Sequence, residues 1–212
     1  MIGDNVIKPY VSTEEVVWTF LSHFRKYYNK YKIKYKNRDT DWLGGMANEF
    51  KLDAEEYPGG LPLEAVRQAI DIEINADRCN DGVRLTVNNH LIPCRWMLVR
   101  VSAADLGDVD SILSSAYEKR TDYGPNGQGF IKDLFPGWKD YLQGEAAKKK
   151  GDTDAHEELV SLLRAGCTFT HRPIVEWMGS MYQIRDGRHR IMAAYEVGRE
   201  RDLTIEAYVS IK

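Results

Sequence analysis

Hydrophobic residues near the N-terminus recur every three to four positions, which predicts an amphipathic helix over residues 13–38. The S-T-E-E sequence at its start has capping-box spacing. A second helix is predicted over residues 61–76 and a short strand over residues 83–87. These elements predict a mainly helical accessory region over residues 1–95.

The pattern changes near residue 95. A short apolar run at 96–101 predicts a buried strand, and the residues that follow, 105–117, predict a helix. Residues 121–153 are rich in Gly, Pro, Asp and Lys, which predicts an insertion of high loop content over about 107–153. The remaining predicted elements are a helix at 156–165 that ends at Gly166, strands at 173–177 and 181–185, a helix at 190–197 that ends at Gly198, and a strand at 203–211. The predicted fold class is α+β, with residues 96–212 as a second domain.

Composition narrows the function classes. The 212 residues include 29 Lys or Arg and 32 Asp or Glu, so the net charge of −3 gives no overall attraction to nucleic acid. No apolar stretch approaches the length that spans a bilayer, and the N-terminus does not look like a signal peptide. The three cysteines are widely spaced and form neither a disulfide framework nor a zinc pair. We therefore expect a cytoplasmic protein without membrane contact.

Residues 25–38 form a local basic and aromatic segment in which lysines alternate with tyrosine and isoleucine. Lysines bind phosphates and tyrosines stack on bases, so this segment is a candidate DNA- or RNA-binding site. The same alternation is also typical of an amphipathic element with Tyr in the core and Lys in solvent. The candidate nucleic-acid residues are Lys30, Lys32, Lys34 and Lys36.

The stretch from residue 172 to 198 carries the most chemical information. It predicts strand, turn, strand, a sharp turn at Gly187 and a helix, and the glycine can adopt the positive φ that this turn needs. The first backbone N–H groups of a helix lack intrahelical acceptors and, with the helix dipole, favour an anion. Arg188, His189 and Arg190 crowd this end, which a bound phosphate or carboxylate would stabilise. Alternatively, the basic side chains pair with acids such as Asp186, Glu176 and Glu196.

The D-G-R-H-R turn and the A-A-Y-E-V-G sequence behind it resemble the ParB/sulfiredoxin-like superfamily. Residues 97–106 look like its opening strand, and residues 156–177 look like its helix, glycine and following strand. The resemblance covers roughly residues 96–212 and implies a nucleotide-binding domain. The residues it implies for phosphate contact are Gly187, Arg188, His189 and Arg190, with Thr168, Thr170, His171 and Arg172 as the facing wall. It gives Asp186 one of two roles, as a ligand of Mg²⁺ or as a residue that orients the turn.

Members of this superfamily clamp on DNA with CTP, phosphorylate a sulfinate with ATP, phosphorylate free serine with ADP, or act as nucleases. The turn is closest to the kinase-like branch, whereas Arg188 replaces the cysteine that sulfinate repair needs. The resemblance implies an NTP-dependent phosphotransferase or NTPase that uses ATP or another NTP or NDP with Mg²⁺. For such a phosphotransferase, the implied phosphoryl acceptor is a hydroxyl group of a nucleotide, a nucleic acid or a small molecule.

The catalytic candidates are Asp186 and His189, with Asp108 and Asp110 as candidate bases after the first strand. Two alternatives stay open. One is a nucleotide-responsive DNA- or RNA-binding module without phosphotransfer, and the other is a ParB-like nuclease.

Overall fold

A computed structural model describes residues 5–21, 64, 85–110, 129–169 and 171–211. The chain divides into two compact units, Met1–Pro9 with Met97–Lys212 as the first and Tyr10–Trp96 as the second. Strands and helices are both present, and the predicted α+β class is confirmed.

The described strands form one mixed sheet in the order β1-β2-β6-β4-β5-β3. Strands β4 and β5 form an antiparallel hairpin, while β6 runs parallel to β4 and β3 runs parallel to β5. The hydrophobic pattern predicts the strands near 96–101, 173–177, 181–185 and 203–211, and all four are confirmed. The bounds are β1 Val6–Val11, β2 Arg95–Ser102, β3 Val109–Asp110, β4 Ile174–Trp177, β5 Tyr182–Asp186 and β6 Thr204–Ile211.

In the described part of the first unit, four helices pack with this sheet around one hydrophobic core. Residues Ile191, Met192, Ala193 and Ala194 are fully buried, so the last helix lies inside the core and presents no solvent face at these positions. The bounds are α1 Ile131–Gln143, α2 Glu145–Lys150, α3 Asp152–Arg164 and α4 Arg188–Gly198. The predicted helices near 156–165 and 190–197 correspond to α3 and α4 and are confirmed.

The insertion differs from its prediction. Its described part, residues 129–153, is largely helical rather than largely loop. The cause is a helical spacing of apolar residues, Ile131, Phe135, Trp138 and Leu142, all of which are buried in the core. The surrounding Gly, Pro and Lys residues conceal this pattern in the overall composition.

The predicted helix at 105–117 is also wrong over its described part. Residues Asp105–Asp108 form one 3₁₀ turn, and the chain then enters β3 at Val109. Residues 111–117 lie outside the described part of the chain. The 3₁₀ turn buries Leu106 and Gly107, and the ring of Tyr195 on α4 lies close against Gly107.

In the second unit, residues 13–21 are helical and the Glu15 backbone N–H donates to Ser12 Oγ at 3.2 Å, so the predicted cap is confirmed. The strand expected over residues 83–87 is wrong where it is described, because residues 85–86 are α-helical and Val87–Leu91 form a π-helical turn. The Trp96 indole N–H donates to the Leu91 carbonyl at 2.9 Å.

No helix in the described residues is long and apolar enough to cross a membrane.

Candidate functional site

The turn between β5 and α4 has the geometry that the sequence predicts. Gly187 lies in the left-handed region, with φ 88°, and serves as the N-cap of α4. A Cβ at this position would lie 3.0 Å from Pro173 Cα, so the residue is constrained by both its backbone angle and its neighbour. No acidic residue lies in the first helical turn, where Arg188 and His189 follow the glycine. The N-terminus of α4 therefore places the backbone N–H groups of a first helical turn next to basic side chains.

Arg190 lies in the same turn, but its side chain is only 8% exposed and is used inside the protein. Its Nη2 donates to Asp186 Oδ2 at 2.8 Å, and its Nη1 donates to the backbone carbonyl of His171. Arg190 thus fastens the end of β5 to the segment that precedes β4. The alternative to phosphate binding for these basic residues is pairing with an acid, and Arg190 is paired with Asp186.

The Asp186 carboxylate is the other partner in this ion pair. It is 10% exposed and accepts the Arg190 hydrogen bond. The described residues contain no group of three His, Cys, Asp or Glu side chains arranged to hold a metal. A Mg²⁺ ion in proteins is often held by one or two carboxylates together with substrate phosphates and water, so a pre-built cluster is not a requirement.

A second ion pair lies on the β4–β5 hairpin. Arg185 Nε donates to Glu176 Oε2 at 2.5 Å, with both side chains about 10% exposed. Arg185 Nη2 also donates to Gln183 Oε1 at 3.0 Å, and the Gln183 amide donates to Asp110 Oδ2 at 3.3 Å. A continuous polar chain therefore runs across β4, β5 and β3.

The two candidate bases occupy different surroundings. Asp110 accepts hydrogen bonds from the Gly129 backbone N–H at 3.2 Å and from Gln183, which fixes its carboxylate at the end of β3. Asp108 is 71% exposed and pairs with Lys132 at 2.7 Å on the surface.

The expected facing wall is only partly described. The His171 carbonyl accepts the Arg190 hydrogen bond, Thr168 is exposed, and Thr170 lies outside the described residues. Arg172 Nε donates to Glu206 Oε2 at 2.8 Å, and its guanidinium lies 5.8 Å from the centroid of the Tyr208 ring. Burial works against the charged form, but the hydrogen bond to Glu206 keeps the pKa of Arg172 above its usual value.

A polar network that the sequence does not predict links α1, α3 and α4. His156 is 2% exposed, and its Nε2 lies 2.9 Å from Glu196 Oε2. Lys139 Nζ donates to both oxygens of Glu196, at 3.0 and 2.9 Å. The Trp138 indole N–H donates to His156 Nδ1 at 3.4 Å. One sequence signal, the helical spacing around Trp138, could have found α1, but the pairing across three helices could not be predicted.

The pKa values of His156 and Glu196 in this network both differ from their ordinary values. Burial lowers the pKa of His156 by disfavouring the imidazolium, although the Glu196 carboxylate acts in the opposite direction. Burial acts to raise the pKa of Glu196, but hydrogen bonds from His156 and Lys139 outweigh it and lower that pKa. Because the Trp138 indole N–H donates to Nδ1, the neutral imidazole carries its proton on Nε2, facing the carboxylate.

The candidate nucleic-acid lysines, Lys30, Lys32, Lys34 and Lys36, lie outside the described residues. Their binding role stays a prediction from the sequence.

Comparison with family models, with curated proteins and with solved structures finds no match to this chain. The relationship to the ParB/sulfiredoxin-like superfamily stays a prediction from the sequence.

Proposed function

We propose that the chain binds the phosphate groups of a nucleotide, ATP or another NTP or NDP with Mg²⁺, at the N-terminus of α4. In this proposal residues 96–212 form a ParB/sulfiredoxin-like domain that transfers a phosphoryl group to a hydroxyl acceptor. The observation that carries the proposal is the strand–glycine–helix turn, in which Gly187 caps α4 in the left-handed conformation and no acid occupies the first turn.

The division of labour among the basic residues follows from their contacts. Arg190 is held by Asp186 and the His171 carbonyl, so its role is to hold the turn together. The charge offered to a phosphate would come from Arg188 and His189, together with the backbone N–H groups of the first turn. Arg188 supplies a planar fork of donors that suits phosphate oxygens.

Phosphoryl transfer asks the protein mainly to align phosphates, neutralise charge and position an acceptor. Among the candidate bases, Asp110 has the fixed carboxylate, because Gly129 and Gln183 both donate to it. Asp108 is exposed and paired with Lys132, and Asp186 is paired with Arg190. Asp110 is therefore the carboxylate we assign to proton acceptance from the hydroxyl.

The experiment is a thermal-shift screen with ATP, ADP, CTP and GTP, each with and without Mg²⁺. A ligand that binds only the folded state raises Tm. We expect a rise with one nucleotide, its loss in Arg188→Gln, and its reduction in His189→Gln. Arg164→Gln is the matched control, because Arg164 is an exposed arginine paired with Glu200 beyond the other end of α4.

No rise with any nucleotide would overturn the proposal. A rise that survives in Arg188→Gln would place the nucleotide elsewhere. The nucleotide that binds then serves as donor in an assay for transfer of its labelled terminal phosphate, in which Asp110→Asn should abolish transfer while leaving the thermal shift in place.

A further inference from the structure

Arg188 and His189 share one aromatic neighbour, Trp138 of α1. The His189 ring lies edge-on to the indole, with centroids 4.9 Å apart and an interplanar angle of 64°. The Arg188 guanidinium carbon lies 5.6 Å from the centroid of the same indole, within cation–π distance. Trp138 is 2% exposed, so it supports these side chains from inside the protein and offers no face to a ligand.

The indole is itself held from its far side. Its N–H donates to His156 Nδ1, and His156 Nε2 donates to Glu196, whose carboxylate also accepts both Lys139 hydrogen bonds. Glu196 follows His189 by two helical turns on α4. The contacts thus form a closed ring that leaves α4 at His189, passes through Trp138 and His156, and returns to α4 at Glu196.

We infer that Trp138 is a positioning residue for the proposed phosphate site, which holds Arg188 and His189 in place before the anion arrives. This inference rests on the proposed function. Arginine loses much rotamer freedom when it is immobilised by a ligand, and a residue that is already restrained loses less on binding. The hydrogen bonds from Trp138 to His156 and from His156 to Glu196 hold the indole in place, and a precise binding site needs such fixed neighbours around the groups that contact the ligand.

The test compares three variants of α1. Trp138→Leu removes the aromatic ring, Trp138→Phe keeps a ring without the N–H, and Phe135→Leu is the matched control. Phe135 is a buried aromatic on the same helix, but its ring partners are Tyr195 and Arg199 rather than the first turn of α4. Both leucine variants remove a buried aromatic ring from α1, the larger one in Trp138→Leu, but only Trp138→Leu removes the ring that contacts Arg188 and His189.

Titration calorimetry with the nucleotide found in the screen is the first readout. We expect Kd to rise about tenfold in Trp138→Leu, the scale of one immobilised side chain, to rise less in Trp138→Phe, and to stay unchanged in Phe135→Leu. The second readout is the NMR resonance of the His189 Cε1 proton, assigned with His189→Gln. It should move in Trp138→Leu through loss of the indole ring current and stay in place in Phe135→Leu.

The outcomes separate the two proposals. If the wild-type protein binds no nucleotide, the proposed function fails and the positioning role fails with it. If the wild-type protein binds and Trp138→Leu binds equally well, the proposed function stands and the positioning role is wrong. If Trp138→Leu does not fold, an unchanged Kd and an unchanged His189 resonance in Trp138→Phe overturn the inference.

Discussion

The Arg190 guanidinium and the Asp186 carboxylate form an ion pair of 2.8 Å across the turn that joins β5 to α4, with side chains 8% and 10% exposed. Arg190 also donates to the His171 carbonyl, which lies before β4. One buried side chain therefore joins a strand end, a helix start and a connecting segment. Loss of nucleotide binding in an Arg190 variant would consequently not identify a phosphate contact, and for this reason Arg188 is the diagnostic residue.

We expect Arg190→Ala to lower the free energy of unfolding by about 3 kcal/mol, because the substitution removes the arginine from a buried ion pair and leaves the Asp186 carboxylate in place. Urea unfolding of the wild-type and variant proteins measures this change. Arg164→Ala is the control, since its pair with Glu200 is half exposed and solvent-screened. Equal effects of the two substitutions would show that the Arg190 pair is not a buried clamp.

Gly187→Ala should destabilise the protein by about 2 kcal/mol, because alanine is strained at φ 88° and its Cβ would press on Pro173. Gly166→Ala separates the two causes. Gly166 has φ 82°, but a Cβ there meets nothing within 4 Å. Urea unfolding should show a smaller loss of unfolding free energy for Gly166→Ala than for Gly187→Ala. An equal loss in the two variants would show that contact with Pro173 adds nothing to the strain of the positive φ.

The lowered pKa of His156 predicts how stability depends on pH. Below its ordinary value of 6.5, the imidazole binds a proton in the unfolded state but stays neutral in the folded state. The free energy of unfolding should therefore fall as pH decreases below that value, and it should stop falling below the folded-state pKa. The charged groups around the ring are Glu196 on α4, Lys139 on α1 and Glu157 on its own helix.

Urea unfolding between about pH 8 and pH 5 measures this dependence, and His156→Gln should remove the part that arises between the two pKa values. The lowered pKa of Glu196 adds a separate loss of stability, but only as pH falls below 4.5 and through its folded-state pKa. If His156→Gln shows the same dependence as the wild-type protein above that range, His156 is not the group responsible.

Local sequence was sufficient for the turn at Gly187, because a strand, a glycine with positive φ and a helix follow one another within a few residues. It was not sufficient for the roles of the cations there. Arg190 finds its second partner at His171, 19 residues earlier, and Arg172 finds Glu206, 34 residues later. These partners lie far away in the sequence, so the spacing of residues around the turn does not show which of the basic side chains form ion pairs inside the protein.

Among the elements that the sequence did not predict, β1 and α1 were missed for opposite reasons. Strand β1 lies at the edge of the sheet with five of its six residues exposed, so it has no apolar alternation to reveal it. Helix α1 has a clear apolar face, but Pro136 and Gly137 lie within it and resemble loop punctuation. Strand β1 is stabilised by pairing with β2, and helix α1 is stabilised by packing into the core. Neither element is favoured by its local sequence alone.

Gly198 was expected to end α4 as a helix-terminating glycine, and the helix does end there, but the structure adds a packing reason. A Cβ on Gly198 would overlap the Cβ of Ala103, in the segment that follows β2. Gly198→Ala should therefore cost about 2 kcal/mol through overpacking, despite the better helix propensity of alanine. The double variant Ala103→Gly with Gly198→Ala removes the overlapping methyl group and should recover part of that loss in urea unfolding. Additive losses in the double variant would mean that the close approach of these two residues is not what constrains Gly198.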